Sequence, residues 1–95
     1  MKYPMSDYKL QGFQKSIRQY KKYDAILLNK KTNRIVKVSF GDNRYEHYMD
    51  KTPLKIWSRL DHNDRERRRL YRLRHNKDIS PNNYSAGYFA MNYLW

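Results

Sequence analysis

Residues 23–40 read YDAILLNKKTNRIVKVSF, and this stretch decides the fold. Its two ends, YDAILLN and RIVKVSF, are short runs rich in aliphatic and β-branched residues, the composition of strands. KKTN between them is polar and turn-forming, so the pair reads as a β-hairpin. Val36, Val38 and Phe40 alternate with Lys37 and Ser39, which gives the second strand one face to bury. The hairpin is the scaffold of the core.

Downstream, Phe40-Gly41-Asp42-Asn43 ends the strand. RYEHYMDK follows as an aromatic and charged connector, in which His47 reads as a surface or packing residue. Thr52-Pro53 has the form of a helix start, a capping hydroxyl followed by proline at the first helical position. Leu54, Trp57 and Leu60 recur every three residues, which predicts a short amphipathic helix. Asp61 is placed to cap the next helix, with Asp64 in its first turn facing the positive end of the dipole. That helix runs to about His75. Ser80-Pro81 repeats the start signal, and NNYSAGYFAMNYLW reads as a final helix with Tyr84, Tyr88, Met91 and Trp95 on one stripe. Gly87 in its interior opposes that reading.

Upstream, residues 1–22 are polar with scattered aromatics. Phe13, Ile17 and Tyr20 fall at helical spacing, so a short helix over residues 11–21 is one reading and an extended basic arm is the other. The expected fold is therefore α+β. A single compact domain spans residues 23–95, a β-hairpin with or without a third strand packed by two or three short helices. A basic arm or short helix precedes it over residues 1–22.

The chain has 95 residues, so one domain with a minor core is expected. Its 16% aromatic content, mostly tyrosine, sets it apart from disordered segments. Twenty-one lysines and arginines against nine carboxylates give a net charge of +12. That excess points to nucleic acid, an anionic membrane or an acidic protein as partner. Cysteine is absent, which excludes disulfides, thiolate zinc sites and a cysteine nucleophile. No apolar run approaches the roughly 20 residues of a membrane span. A soluble protein inside the cell, or packed inside a particle made there, is expected.

The charge concentrates in residues 61–78, DHNDRERRRLYRLRHNKD. On a helix, Arg65, Arg68, Arg69 and Arg72 fall at i, i+3, i+4 and i+7 and form one stripe. Leu70 and Leu73 lie on the opposite side and are placed to anchor the helix to the hairpin. Like charges at this spacing repel by a few tenths of a kcal/mol per pair, on the order given by helix peptides. A polyanion would relieve the repulsion, and the planar fork of each guanidinium suits phosphate or carboxylate. A solvated face, or pairing with acids of the same chain, is the other reading.

His62 and His75, with Asp61, Asn63 and Asn76, are residue types found in metal-dependent nucleases. The geometry opposes such a site, because the two histidines flank one helix about 20 Å apart at 1.5 Å per residue. No second set of acidic ligands accompanies them. A phosphate loop and a nucleophile elbow are absent. No catalytic residue, cofactor or metal is expected.

The blocks FGD, DKTPL, LDHND, RHNKD, YSAGYF and YLW, spread over residues 23–95, carry a resemblance. The chain resembles a family of small basic proteins encoded by large DNA viruses of eukaryotes and by some tailed bacteriophages. The resemblance implies a viral setting and assigns no catalytic residue. It implies a minor capsid or cement protein, or an internal protein that neutralises packaged DNA. The partners would be capsid proteins or DNA, with no small-molecule substrate and no membrane. The location would be the virion, or the host cytoplasm and viral factory. An intracellular module acting on viral DNA is the alternative. In the blander reading of the same blocks, Asp61 and Asp64 cap, Asp78 pairs with an arginine, and Trp95 closes the core or plugs a neighbour.

Overall fold

The computed structural model describes residues 3–95, the side chain of Asp78 excepted. Residues 23–40 form the expected hairpin within longer strands. Strands β3 (Lys21–Asn29) and β4 (Ile35–Asp42) pair antiparallel, with Tyr23 opposite Phe40, Ala25 opposite Val38 and Leu27 opposite Val36. Asn29 holds the turn, its side-chain oxygen accepting from the amides of Lys31 and Thr32. Asn33 takes the left-handed conformation, which asparagine tolerates.

The stretch read as an arm or helix contributes the third strand. Strand β2 (Tyr8–Lys15) pairs antiparallel with β3, so the sheet order is β2-β3-β4. A bulge between Leu10 and Gly12 inserts one residue and puts the pattern out of phase. Leu10 and Phe13 therefore face the same side although three apart, which imitates helical spacing. Ile17, counted in that helix, lies beyond the strand and is exposed. A second ribbon, β1 (Tyr3–Pro4) with β5 (Asn83–Tyr84), ties the start of the described chain to its last quarter.

Two helices follow the sheet. Helix α1 spans Arg65–His75 and α2 spans Ala86–Tyr93. The final helix starts later than Ser80-Pro81 indicated. That signal makes a turn into β5, and Ser85 is the cap, accepting from the Tyr88 amide at 3.1 Å. Helix α2 covers the hairpin. Tyr23, Leu27, Phe40, Phe89 and Leu94 are buried together, with ring centroids of Phe40 and Phe89 5.5 Å apart.

The helix expected after Thr52-Pro53 does not form. Thr52 does accept a weak cap-like bond from the Lys55 amide at 3.3 Å, but Lys55 itself is left-handed, which stops propagation. The amides of Ile56 and Trp57 bond to Tyr23 and Asp50 instead of to helical carbonyls. Only a short 3₁₀ turn, Ser58–Leu60, remains, and Leu54 is exposed. The glycine of FGD has a local reason. Gly41 has φ of +76°, and a Cβ there would stand 2.8 Å from Leu94 Cδ1 and 3.0 Å from Lys22 Cδ.

Candidate polyanion-binding face and the buried network behind it

The connector between the sheet and α1 is held by buried polar groups. Lys22, at 2% exposure, donates from Nζ to His47 Nδ1 at 2.7 Å. His47 is fully buried, and its Nε2 lies 2.5 Å from Asp61 Oδ1. Asp61 also accepts from the Asp50 amide at 2.8 Å. The set fixes His47 as the neutral Nε2–H tautomer, accepting from an ammonium and donating to a carboxylate. Burial and the adjacent Lys22 charge hold the His47 pKa below its ordinary value. Burial also pulls the Lys22 ammonium down to about 8, against the attraction of Asp42, Asp50 and Asp61.

Asp50 is the second hub. It accepts from the Tyr23 hydroxyl, from the Thr52 amide at 3.0 Å, from the Thr52 hydroxyl at 2.6 Å and from the Trp57 amide at 3.2 Å. Burial alone would raise its pKa, but these donors outweigh burial and hold it below the usual carboxylate range. Tyr23 is pushed up by burial and by Asp50. Trp57 Nε1 donates to the Lys22 carbonyl at 3.0 Å, so the ring is pinned to β3. A surface or packing histidine at 47 was expected. The structure shows a packing residue with two hydrogen bonds and no exposure.

Helix α1 departs from the sequence reading in both its cap and its orientation. Asp64, rather than Asp61, is the N-cap, accepting from the amides of Glu66 and Arg67 at 3.0 and 3.1 Å. Asp61 is engaged with His47 and cannot serve. Leu70 and Leu73, expected to face the hairpin, are 44% and 62% exposed. The inward side carries Tyr71, Arg68 and Arg72. Tyr71 stacks flat on Trp95, centroids 4.1 Å apart and planes 4° off parallel. Arg68 Nε donates to the Trp95 backbone oxygen at 2.6 Å and lies over the Tyr48 ring at 4.9 Å. Arg72 donates to the Met91 carbonyl at 3.3 Å. The amides of Met49 and Lys51 bond to the carbonyls of Leu94 and Tyr93. The last carbonyls of α2, which a helix end leaves unpaired, are thus met by the connector and by α1.

The four arginines of the stripe therefore separate. Arg68 and Arg72 are half-buried on α2. Arg69 is exposed and pairs with Glu66 at 2.5 Å. The Arg65 side chain is exposed and makes no hydrogen bond or ion pair among the described residues. Arg74, outside the stripe, is in the same position, and Arg67 pairs with Glu46 at 3.2 Å. Asp78, expected as a cap or pairing partner, has its side chain outside the described residues.

Charge is divided unequally between interior and surface. Sixteen of the twenty described lysines and arginines are exposed, against three of the eight described carboxylates. Each of those three is already engaged, Glu46 with Arg67, Glu66 with Arg69 and Asp64 with the helix amides. The surface is consequently more one-sided than the net charge implies.

His62 and His75 stand at the two ends of a ring stack, His62–Trp95–Tyr71–His75, with centroid spacings of 5.1, 4.1 and 4.3 Å. His62 Nδ1 accepts from the Asp64 amide at 2.9 Å. Among the described residues no three His, Asp or Glu side chains are grouped to hold a metal ion. A cleft of about 480 Å³ lies between β4, α1 and α2, rimmed by Lys21, Arg67 and Arg74. Lys22 also borders it, with its nitrogen bonded to His47. Of the rings in its wall, Tyr71 and Trp95 each have one face covered by the other in their parallel stack, while His62 and His75 meet them at tilts of 57° and 36°.

Sequence reading by residue type did not find the Lys22–His47–Asp61 and Tyr23–Asp50–Thr52 connections. A signal was present, since Asp50 and Thr52 stand in DKTPL and Asp61 in LDHND. No helix of the described residues is long and apolar enough to cross a membrane. Comparison with protein-family models, with curated proteins and with solved structures found no match to this chain.

Proposed function

We propose that this chain is a non-enzymatic, virus- or phage-encoded structural protein of the virion that binds a polyanion, an acidic capsid surface or packaged DNA. The viral setting rests on the resemblance of the FGD, DKTPL, LDHND, RHNKD, YSAGYF and YLW blocks. The binding role rests on one observation: among the described residues, exposed cations outnumber exposed carboxylates more than five to one, and each of those carboxylates is engaged. Self-repulsion of a surface this one-sided is relieved by a polyanion. The contact residues on α1 are Arg65 and Arg69, joined by Arg67 and Arg74. Arg68 and Arg72 support the helix from behind.

The test is a titration with a labelled DNA duplex and with oligoglutamate across a salt series. Binding to at least one of them should weaken steeply with salt. For duplex DNA, the log–log slope should fall by about 0.9 for each phosphate contact removed in Arg65→Ala/Arg69→Ala/Arg74→Ala. Failure of both probes to bind at low salt overturns the polyanion reading. Tight duplex binding that depends on these arginines, with the chain missing from purified particles, favours an intracellular module acting on viral DNA. Stoichiometric copies in particles favour the capsid role.

A further inference from the structure

Helix α1 carries its leucines on the side that stability alone would not choose. Leu70 and Leu73 are exposed, while Arg68 and Arg72 are turned toward α2. The inversion has a cost, because Arg72 Nε is buried with no hydrogen-bond partner among the described residues. The two leucines are three residues apart, so their side chains are neighbours on the helix surface. Helical spacing sets Arg69 on one flank and Arg74 on the other, with Lys77 one turn beyond. A groove of about 460 Å³ runs beside Leu73, bordered by Arg69, Arg72, Asn76 and Lys77.

An apolar centre with a charged rim is the anatomy of a protein–protein contact. A face built for phosphates gains nothing from leucines in its middle, since affinity there comes from the cations. A second copy of the chain would bring two surfaces of the same sign together, at a net +12 each. We infer that the Leu70/Leu73 face of α1 docks on an acidic protein surface that seats two leucines inside a rim of carboxylates. The inference rests on the polyanion reading above and names which polyanion this face takes.

The probe is a labelled synthetic helical peptide with leucines at i and i+3 and glutamates on both flanks. The control is an oligoglutamate of equal charge. At physiological salt the leucine-bearing peptide should bind about 10- to 100-fold tighter than the control, the effect of burying two leucine side chains in part. Leu70→Gln/Leu73→Gln should remove that advantage while leaving the melting temperature and the affinity for duplex DNA unchanged. Leu70→Ala/Leu73→Ala, which keeps the helix propensity high, should behave the same way. Equal binding of the two peptides overturns the inference. So does an equal loss of DNA affinity in the glutamine variant, which would put the leucines on nucleic acid. Binding to phosphatidylserine vesicles that exceeds peptide binding and vanishes in that variant would assign the face to a membrane surface. Oligoglutamate binding without any leucine advantage sinks this inference alone. No binding of oligoglutamate, peptide or DNA sinks it together with the polyanion reading.

Discussion

Behind the connector, the buried Lys22, Tyr23, His47 and Asp50 and the partly exposed Asp61 are bonded to one another. On the outside of α1, Arg65, Arg69 and Arg74 stand in solvent with Glu66 as the helix's own acid. The first region matches each charge with a fixed partner, so changes there register in stability. The second leaves a surplus of one sign, so, on the proposed polyanion role, changes there are expected to register in binding rather than in stability. The two are linked by Arg68 and Arg72, which lie on the same helix as the exposed cations but bond to the end of the chain's last helix and to Trp95.

The largest effect is expected where the buried network is densest. Asp50→Ala leaves the Tyr23 hydroxyl and both Thr52 donors without their acceptor and the Trp57 amide with only the longer bond to the Tyr23 hydroxyl at 3.4 Å. A loss on the order of 4 kcal/mol follows from several unmade buried hydrogen bonds, a large share of the stability of a domain this size. Urea denaturation measures it. A loss under about 1 kcal/mol would mean that the network does not hold the connector, since single hydrogen bonds already reach that size.

The pH dependence sharpens the same contrast. The folded-state pKa of His47 lies below its unfolded value near 6.5, from burial and the Lys22 charge. As pH falls through about 6.5 the unfolded chain gains a proton that the folded chain refuses, so stability declines in that window and is complete above it. His62 is shifted in the same direction by burial and Arg67. Melting temperatures from pH 7.5 to 5 should fall less in His47→Gln than in the parent, with His62→Gln accounting for part of the remainder. An unchanged slope in both variants would place the acid sensitivity elsewhere. Asp50 and Asp24 are held below the carboxylate range, so their contribution disappears only at lower pH, as it falls through their folded values.

Smaller effects separate the two sides of α1. Arg68→Ala removes the bond to Trp95 and the contact over Tyr48, a loss of about 1–2 kcal/mol. Arg65→Ala/Arg69→Ala should leave thermal melting where it was and act on polyanion affinity alone. If instead Arg68→Ala melts like the parent and weakens binding, the inner and outer roles assigned here must be exchanged.

The fold class was legible where pattern and period agreed. In the hairpin of residues 23–40 the first strand is an unbroken aliphatic run and the second alternates, with a polar turn between them, so its strands and turn could be placed from residues alone. Strand β2 could not, because the helical spacing of Phe13, Ile17 and Tyr20 runs past its end, and the bulge at Leu10–Gly12 breaks the alternation that would have marked it. The helix start read at Thr52-Pro53 was not taken up, because the Ile56 and Trp57 amides bond to Tyr23 and Asp50, long-range partners that no local pattern announces. The candidate site was legible as a cluster of cations and illegible as a face. Helical spacing set Arg65, Arg68, Arg69 and Arg72 on one stripe, but the structure turns Arg68 and Arg72 toward the chain's end and leaves only Arg65 and Arg69 of the four exposed.

Composition, strand alternation and helix-start chemistry thus determined an α+β domain, a basic surface and the existence of α1, since each depends on neighbours within a few residues. The inward turn of Arg68 and Arg72, the burial of His47 and the exposure of Leu70 and Leu73 were decided only in three dimensions. They depend on where the end of α2 leaves carbonyls to be met and where Trp95 presents a ring to Tyr71. The partners that set those positions stand nineteen or more places apart along the chain.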